Sequence, residues 1–120
     1  MKAEVISTHK GGMWSWLFQR ITAVLLIVML AIHLVFTHIL NIGNLNYDSI
    51  GLRLAHAGFI AVDVILLAAG IYHALNGLRM VLLDYWFTSR SRALILTIGL
   101  WVVGIAATIY GTWALWPWIS

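Results

Sequence analysis

The sequence predicts an all-α integral membrane protein with three transmembrane helices, and three observations point to it. Hydrophobic residues fill 62% of the 120 positions and charged residues only 9%, against about a quarter charged in soluble domains. The apolar residues gather in three runs, at about 21–42, 57–78 and 93–113. Each is long enough to cross a hydrocarbon core of ~30 Å at 1.5 Å of helix per residue. The basic residues collect at alternate ends of these runs, as a topology signal does. The solvent for most of this chain is lipid.

The helices are expected over about 16–42, 54–83 and 91–114, in one domain covering 1–120. Backbone groups in lipid must bond internally, so the runs form helices. Val and Ile are plentiful, but no period-2 polarity marks strands. The first helix is preceded by a polar segment, "MKAEVISTHKGGMWSW", which does not lead directly into a cleavable apolar core, so no signal peptide is expected. Lys2, Lys10 and Arg20 stand at or before its start, and Arg79, Arg90 and Arg92 surround the second connection. The first connection, "NIGNLNYDSIGLR", carries Arg53 alone, and the C-terminal "WALWPWIS" carries no basic residue. The bias places the N-terminus and second connection in the cytoplasm and the C-terminus outside. Trp14, Trp16 and Trp86 then form an inner aromatic belt, and Trp113, Trp116 and Trp118 an outer one. The net charge of +3 is explained by this topology, without nucleic-acid binding. Cysteine is absent, which excludes disulfides and thiolate-held metals or clusters in this chain. The third helix has small residues at Gly99, Gly104, Ala107 and Gly111, the last two in small-xxx-small spacing, and is expected to be structural, with no ligand.

The second helix ends in "IYHALNGLRMVLLDYW", polar groups that a lipid-facing helix has no use for. At 100° per residue, Gly70 and Gly77 fall within ~60° of His73, and Asp84 returns to within ~20°. Glycines above and below an imidazole leave room for a partner helix or a flat ligand. His73 therefore has two readings, a hydrogen-bonded packing group or an axial ligand to haem iron through neutral imidazole. Arg79 at the boundary can snorkel to the headgroups. Tyr85 can donate to a quinone carbonyl with Asp84 relaying a proton. Their plainer reading is an aromatic belt anchor beside an Asp84–Arg90 pair.

"HALNGLRMVLLDYW" resembles the second-helix motif H-x3-G-x-R/W-x4-D-Y of the small membrane-anchor subunits of succinate dehydrogenase (succinate:quinone oxidoreductase) and related fumarate reductases. "WSWLFQRITAVLL" is similar to that family's entry into its first helix. Three spans, chain length and an N-in orientation also match, and the closing Asp-Tyr fits the D-type anchor better than its C-type sister. The resemblance implies that His73 ligates haem b and that Tyr85, with its acidic neighbour Asp84, binds ubiquinone or menaquinone. It further implies that Arg20 lies near the haem propionates and the quinone pocket, an interfacial anchor being the alternative for that arginine. It implies a flavoprotein subunit, an iron–sulfur subunit and a sister anchor subunit as partners, in a bacterial or archaeal cytoplasmic membrane.

The first helix adds "MLAIHLVFTHIL". His33 lies ~20 Å beyond Arg20, whereas His73 lies ~9–17 Å from the same boundary, so the two differ in height. Some members of the family hold two haems, and His33 is then a candidate ligand to the outer one; a hydrogen bond within the bundle is the other reading. His38 is ~140° around from His33 and is expected to face headgroups or water. His56 reads likewise, and His9 belongs to the N-terminal segment. Asp63 is expected at the outer edge, facing Arg53, because 21 residues separate it from Asp84, ~31 Å of helix. Three helices cannot wall in a haem, and a second axial ligand at the height of His73 is expected from the sister anchor. The chain lacks a nucleotide-binding motif, so it is read as a subunit without catalysis of its own. The competing readings are a haem-free or C-type anchor of the family, an unrelated small cytochrome b, and a proton-coupled transporter subunit.

Overall fold

The computed structural model describes residues 9–40, 46–86 and 89–118. Three long helices account for nearly all of them. Helix α1 spans His9–Leu34 and runs on through a π turn, Val35–Ile39. A short helix α2, Tyr47–Leu54, follows, then α3, Ala57–Tyr85, and α4, Arg90–Ala114, which ends in a 3-10 turn, Trp116–Trp118. The stretches Gly12–Ile39, Ala57–Tyr85 and Arg90–Trp118 are each long and apolar enough to cross a membrane. The fold is therefore all-α with three candidate spans, in a bundle 66 × 24 × 21 Å. Helix α3 is the element against which both α1 and α4 pack. Lys2, the side chains of His9 and Lys10, and residues 41–45 of the first connection lie outside the described residues.

Burial is inverted relative to a water-soluble protein. Among the described residues only Leu54, Ala69, Thr37 and Asn76 are buried, and two of these are polar. Large apolar side chains such as Val24, Ile27, Ile95, Ile98, Trp101 and Ile109 lie open on the surface. In water such a face would cost roughly 25 cal/mol per Å²; against acyl chains it costs nothing comparable. Lipid removes the hydrophobic drive between helices, so small residues and interhelical hydrogen bonds must hold the bundle.

Two features of the first connection differ from expectation. The main-chain N–H of Leu40 bonds the carbonyl of Val35 at 2.9 Å, five residues back, so the helix widens there. Widening lowers the rotation per residue and swings the residues beyond it out of α-helical phase. The second feature is α2, in a stretch read as a plain connection. Asn46 caps it: its Oδ1 accepts from the Ser49 N–H at 2.8 Å, and the Asn46 N–H donates to Ser49 Oγ at 3.2 Å. This reciprocal box satisfies two N-terminal donors, with Asp48 in the first turn and Arg53 in the last complementing the helix dipole. Trp118 folds onto this helix, its ring 4.8 Å from that of Tyr47. A Cβ on Gly51 would meet the Trp118 ring at 2.9 Å, so the close seat needs glycine. Trp113 and Trp116 remain exposed at this end, and Trp14, Trp16 and Trp86 at the other.

Helices α3 and α4 meet through knobs on α3 and gaps on α4. A Cβ at Gly111 would lie 2.6 Å from Leu67 Cδ2, and one at Gly104 would lie 2.9 Å from Leu75 Cδ1. The small residues that matter are thus Gly104 and Gly111, seven apart along one face, while Gly99 faces open space. Gly111→Leu is expected to destabilise the bundle by about 1–3 kcal/mol through overpacking. Gly99→Leu is expected to stay within about 0.5 kcal/mol of the parent. Unfolding in detergent followed by circular dichroism measures both.

Candidate functional site

The polar side chains that the apolar runs conceal meet between α1 and α3. Asn76, buried, donates from Nδ2 to the carbonyl of Ser15 at 3.1 Å and to Gln19 Oε1 at 2.8 Å. Gln19 then donates from Nε2 to the backbone carbonyl of His73 at 3.1 Å, and the same nitrogen lies 3.3 Å from His73 Nε2. Thr22 Oγ1 gives its proton to the carbonyl of Phe18 at 2.7 Å, so it accepts from His73 Nδ1 at 3.1 Å. The chain of bonds fixes a tautomer: Nδ1 carries the hydrogen, and Nε2 presents its lone pair. Among the described residues no buried side-chain nitrogen or oxygen lacks a partner.

The glycines beside His73 serve α1. A Cβ on Gly77 would approach Gln19 Nε2 to 3.1 Å, and one on Gly70 would touch Leu26 at 3.8 Å. The open space expected beside the imidazole is therefore filled, within this chain, by side chains of the first helix. A neutral imidazole whose Nδ1–H is held by a neighbouring oxygen has the donor chemistry that haem iron requires at Nε2. Gln19 covers that nitrogen at 3.3 Å, and the amide is itself held by Asn76 and the His73 carbonyl.

A second polar contact joins the same helices nearer α2. His33 Nδ1 lies 2.8 Å from Asp63 Oδ1, with the two side chains 28% and 23% exposed. An ionised carboxylate only accepts, so Nδ1 carries the hydrogen, and in a neutral imidazole Nε2 then holds the lone pair. This overturns the expectation that Asp63 faces Arg53 at the outer edge; Asp63 stands in the second turn of α3 and pairs across to α1. His38 is also closer than expected, its ring 6.1 Å from that of His33. The reason is the π turn, which breaks the 100° phase that had put His38 on another face. Among the described residues no three His, Cys, Asp or Glu side chains come together to hold a metal ion, so each imidazole is a single donor.

Tyr85 and Asp84 lie at the end of the bundle where α3 turns into α4, whereas Arg20, next to Gln19, stands level with His73. Arg20 stacks over the Trp16 ring, its Cζ 4.9 Å from the centroid. Tyr85 is 75% exposed, and Asp84 beside it is exposed too. The Asp84–Arg90 pair does not form; among the described residues the acid–base contact is that of His33 with Asp63, ionic only if the imidazole is protonated. Arg79 does not simply reach outward: its Nε donates to Thr97 Oγ1 on α4 at 2.9 Å. It lines a cavity of about 470 Å³ between α3 and α4, with Ser15, Tyr72, Asn76, Thr97 and Trp101 on its walls. His73, Asp84 and Tyr85 are not among its lining residues.

Gln19, Thr22 and Asp63 are the residues that sequence reasoning did not assign to the site. A polar residue inside an apolar run was the available signal, for Asn76 as well as these three. Four similarities to known proteins can be set beside this geometry. The family model of the succinate dehydrogenase/fumarate reductase transmembrane subunit matches residues 2–114. The succinate dehydrogenase hydrophobic membrane anchor subunit of Archaeoglobus fulgidus is 40% identical over 70 residues, 58% of this chain and 60% of that protein. The chain thus spans less than two thirds of that relative's length. The succinate dehydrogenase 2 membrane subunit SdhC of Mycobacterium tuberculosis is 30% identical over 94 residues, covering 78% and 66% of the two chains. The hydrophobic membrane anchor subunit of Rickettsia felis is 31% identical over 110 residues, 90% of each chain. An all-helical chain with three candidate spans, matched by the model along nearly its whole length, belongs to the succinate dehydrogenase/fumarate reductase transmembrane subunit family.

Proposed function

We propose that this chain is the haem b- and quinone-binding membrane anchor of a succinate:quinone oxidoreductase, of the D type. Its partners are a flavoprotein subunit, an iron–sulfur subunit and a sister anchor subunit, in a bacterial or archaeal cytoplasmic membrane. The N-terminus and the α3–α4 turn face the cytoplasm. The observation behind the haem reading is the His73 imidazole held at Nδ1 by Thr22 Oγ1 at 3.1 Å, an orientation in which Nε2 would be the ligating nitrogen. Bound there, haem b supplies a one-electron store. His33, oriented in the same way, is the candidate ligand to a second haem. Arg20, flanked on α1 by the Gln19 and Thr22 that bond His73, would place a fixed positive charge at the height of that imidazole, near propionates or a quinone.

Reduction of a quinone takes two electrons and two protons. Tyr85 donates a hydrogen bond from its hydroxyl to a quinone oxygen, and Asp84 takes up protons from the aqueous side and passes them inward. Both residues stand exposed on the isolated chain, so their pocket is completed by the neighbouring subunits. Succinate is oxidised in the flavoprotein, outside this chain.

A second reading has an observation of its own. Both ring nitrogens of His73 have contacts inside the chain, which suits a haem-free anchor of the same family. The two readings part on an optical spectrum of the natively purified complex: a reduced-minus-oxidised α-band supports ligation, and its absence selects the haem-free anchor.

Tyr85→Phe is expected to lower quinone reduction about 100-fold, the lower end for a positioned proton donor. Succinate oxidation by an artificial acceptor should be unchanged in that variant; equal loss of both would mean failed assembly. Thr22→Val removes the acceptor at Nδ1 and is expected to weaken haem retention about 10–100-fold. The haem-to-flavin ratio after washing in detergent reads that effect.

A further inference from the structure

We propose that Asp63 is a positioning residue for His33, holding its imidazole in the tautomer and with the basicity that ligation of haem iron requires. The proposal rests on the reading of His33 as a ligand. Its ground is a repeated device. On α3, His73 gives its Nδ1–H to an oxygen of α1, that of Thr22. On α1, His33 gives its Nδ1–H to an oxygen of α3, that of Asp63. The two helices exchange roles, and in each neutral imidazole Nε2 is then the nitrogen with the lone pair, that of His73 facing Gln19 Nε2 at 3.3 Å.

The spacing separates the two imidazoles. His73 is ten residues beyond Asp63 on α3, and His33 is eleven beyond Thr22 on α1. Both counts give about 15 Å along the bundle axis. One iron cannot take both nitrogens, so each histidine serves its own site with its own orienting oxygen.

The partners differ in charge. A hydroxyl oxygen fixes the ring and little else, whereas a carboxylate also draws the Nδ1 proton toward itself and makes Nε2 a stronger donor. A stronger donor favours ferric over ferrous iron. The site near α2 is therefore built for the lower potential of the two. A carboxylate among apolar side chains is costly, and intramembrane carboxylates are usually tied to function. A bond needed only for packing could come from serine or asparagine, as Asn76 demonstrates in the other half of the same seam.

The test uses the natively purified complex, with haem and flavin quantified and each haem titrated potentiometrically. Asp63→Asn keeps an oxygen acceptor and loses the charge. It should leave haem content unchanged and shift one midpoint upward by about 59 mV, a tenfold loss of preference for the ferric form. The low-spin ferric spectroscopic signature should move for that haem alone. Asp63→Leu should weaken retention of that haem about 10–100-fold, and Asp63→Glu should restore it. The His73 haem, unchanged in every variant, reports that the bundle has folded. His33→Leu separates the two layers of the argument. An unchanged haem-to-flavin ratio there overturns the His33 reading and this proposal with it. Loss of one haem in His33→Leu, with both potentials fixed in Asp63→Asn, overturns the role of Asp63 alone.

Discussion

The register of α1 on α3 is the constraint on which the other features depend. Two polar contacts set it, the Asn76–Gln19–His73–Thr22 network and the His33–Asp63 pair. In lipid an interhelical polar bond contributes only about 0.6–1.7 kcal/mol, so their sum is modest. Their effect lies in geometry. One contact stops two helices from rotating, and a second, about 15 Å away along the axis, stops them from sliding. A slip by one residue would leave Asn76, His73 and Asp63 without partners in an apolar medium. The cost of those orphaned groups exceeds what the bonds contribute when made.

The third long helix plays by other rules. Helix α4 carries no charged residue beyond its first turn and meets α3 by shape, Leu67 and Leu75 of α3 against Gly111 and Gly104. Its polar tie to α3 is the Arg79–Thr97 bond, and the cavity opens there. Thr97, Thr108 and Trp101 give α4 a share in that wall, which a purely structural reading of the helix did not include. The interhelical polar bonds are thus concentrated at the α1–α3 seam, where two imidazoles lie. The α3–α4 side is left with space.

Hydropathy made the three spans readable because lipid imposes length and composition directly on the sequence. Charged and imidazole groups within those spans were readable because their cost in lipid demands a reason. Partners were harder. Asp63 was assigned by height alone, and height carries no information about which helix faces it. Gln19 sits one residue before Arg20 at the start of an apolar run, where an amide passes for an interfacial group. The neighbourhood of His33 and His38 was hidden by a π turn, since the 100° rule holds only while the helix stays α. The cap at Asn46 has Ser49 where a glutamate or glutamine is usual at the third position, so α2 did not announce itself.

A division of labour follows from where the polar atoms lie. The bundle turns Gln19, Thr22, Asn76, His33 and His73 toward its α1–α3 seam and leaves many aliphatic side chains on its outer faces. Apolar faces in lipid have little reason to seek one another, because acyl chains wet them equally well. Association with a sister anchor therefore needs close packing, polar contacts at the exposed ends, or a group bound by both chains. On the proposed reading a haem is such a group: this chain supplies one oriented nitrogen per iron, and the second axial ligand comes from the neighbouring polypeptide. The same interior that fixes the tautomer of His73 also covers its Nε2 with the Gln19 amide, which would have to give way before that nitrogen could be used. The seam that joins α1 and α3 orients that imidazole for assembly while leaving the chain incomplete alone.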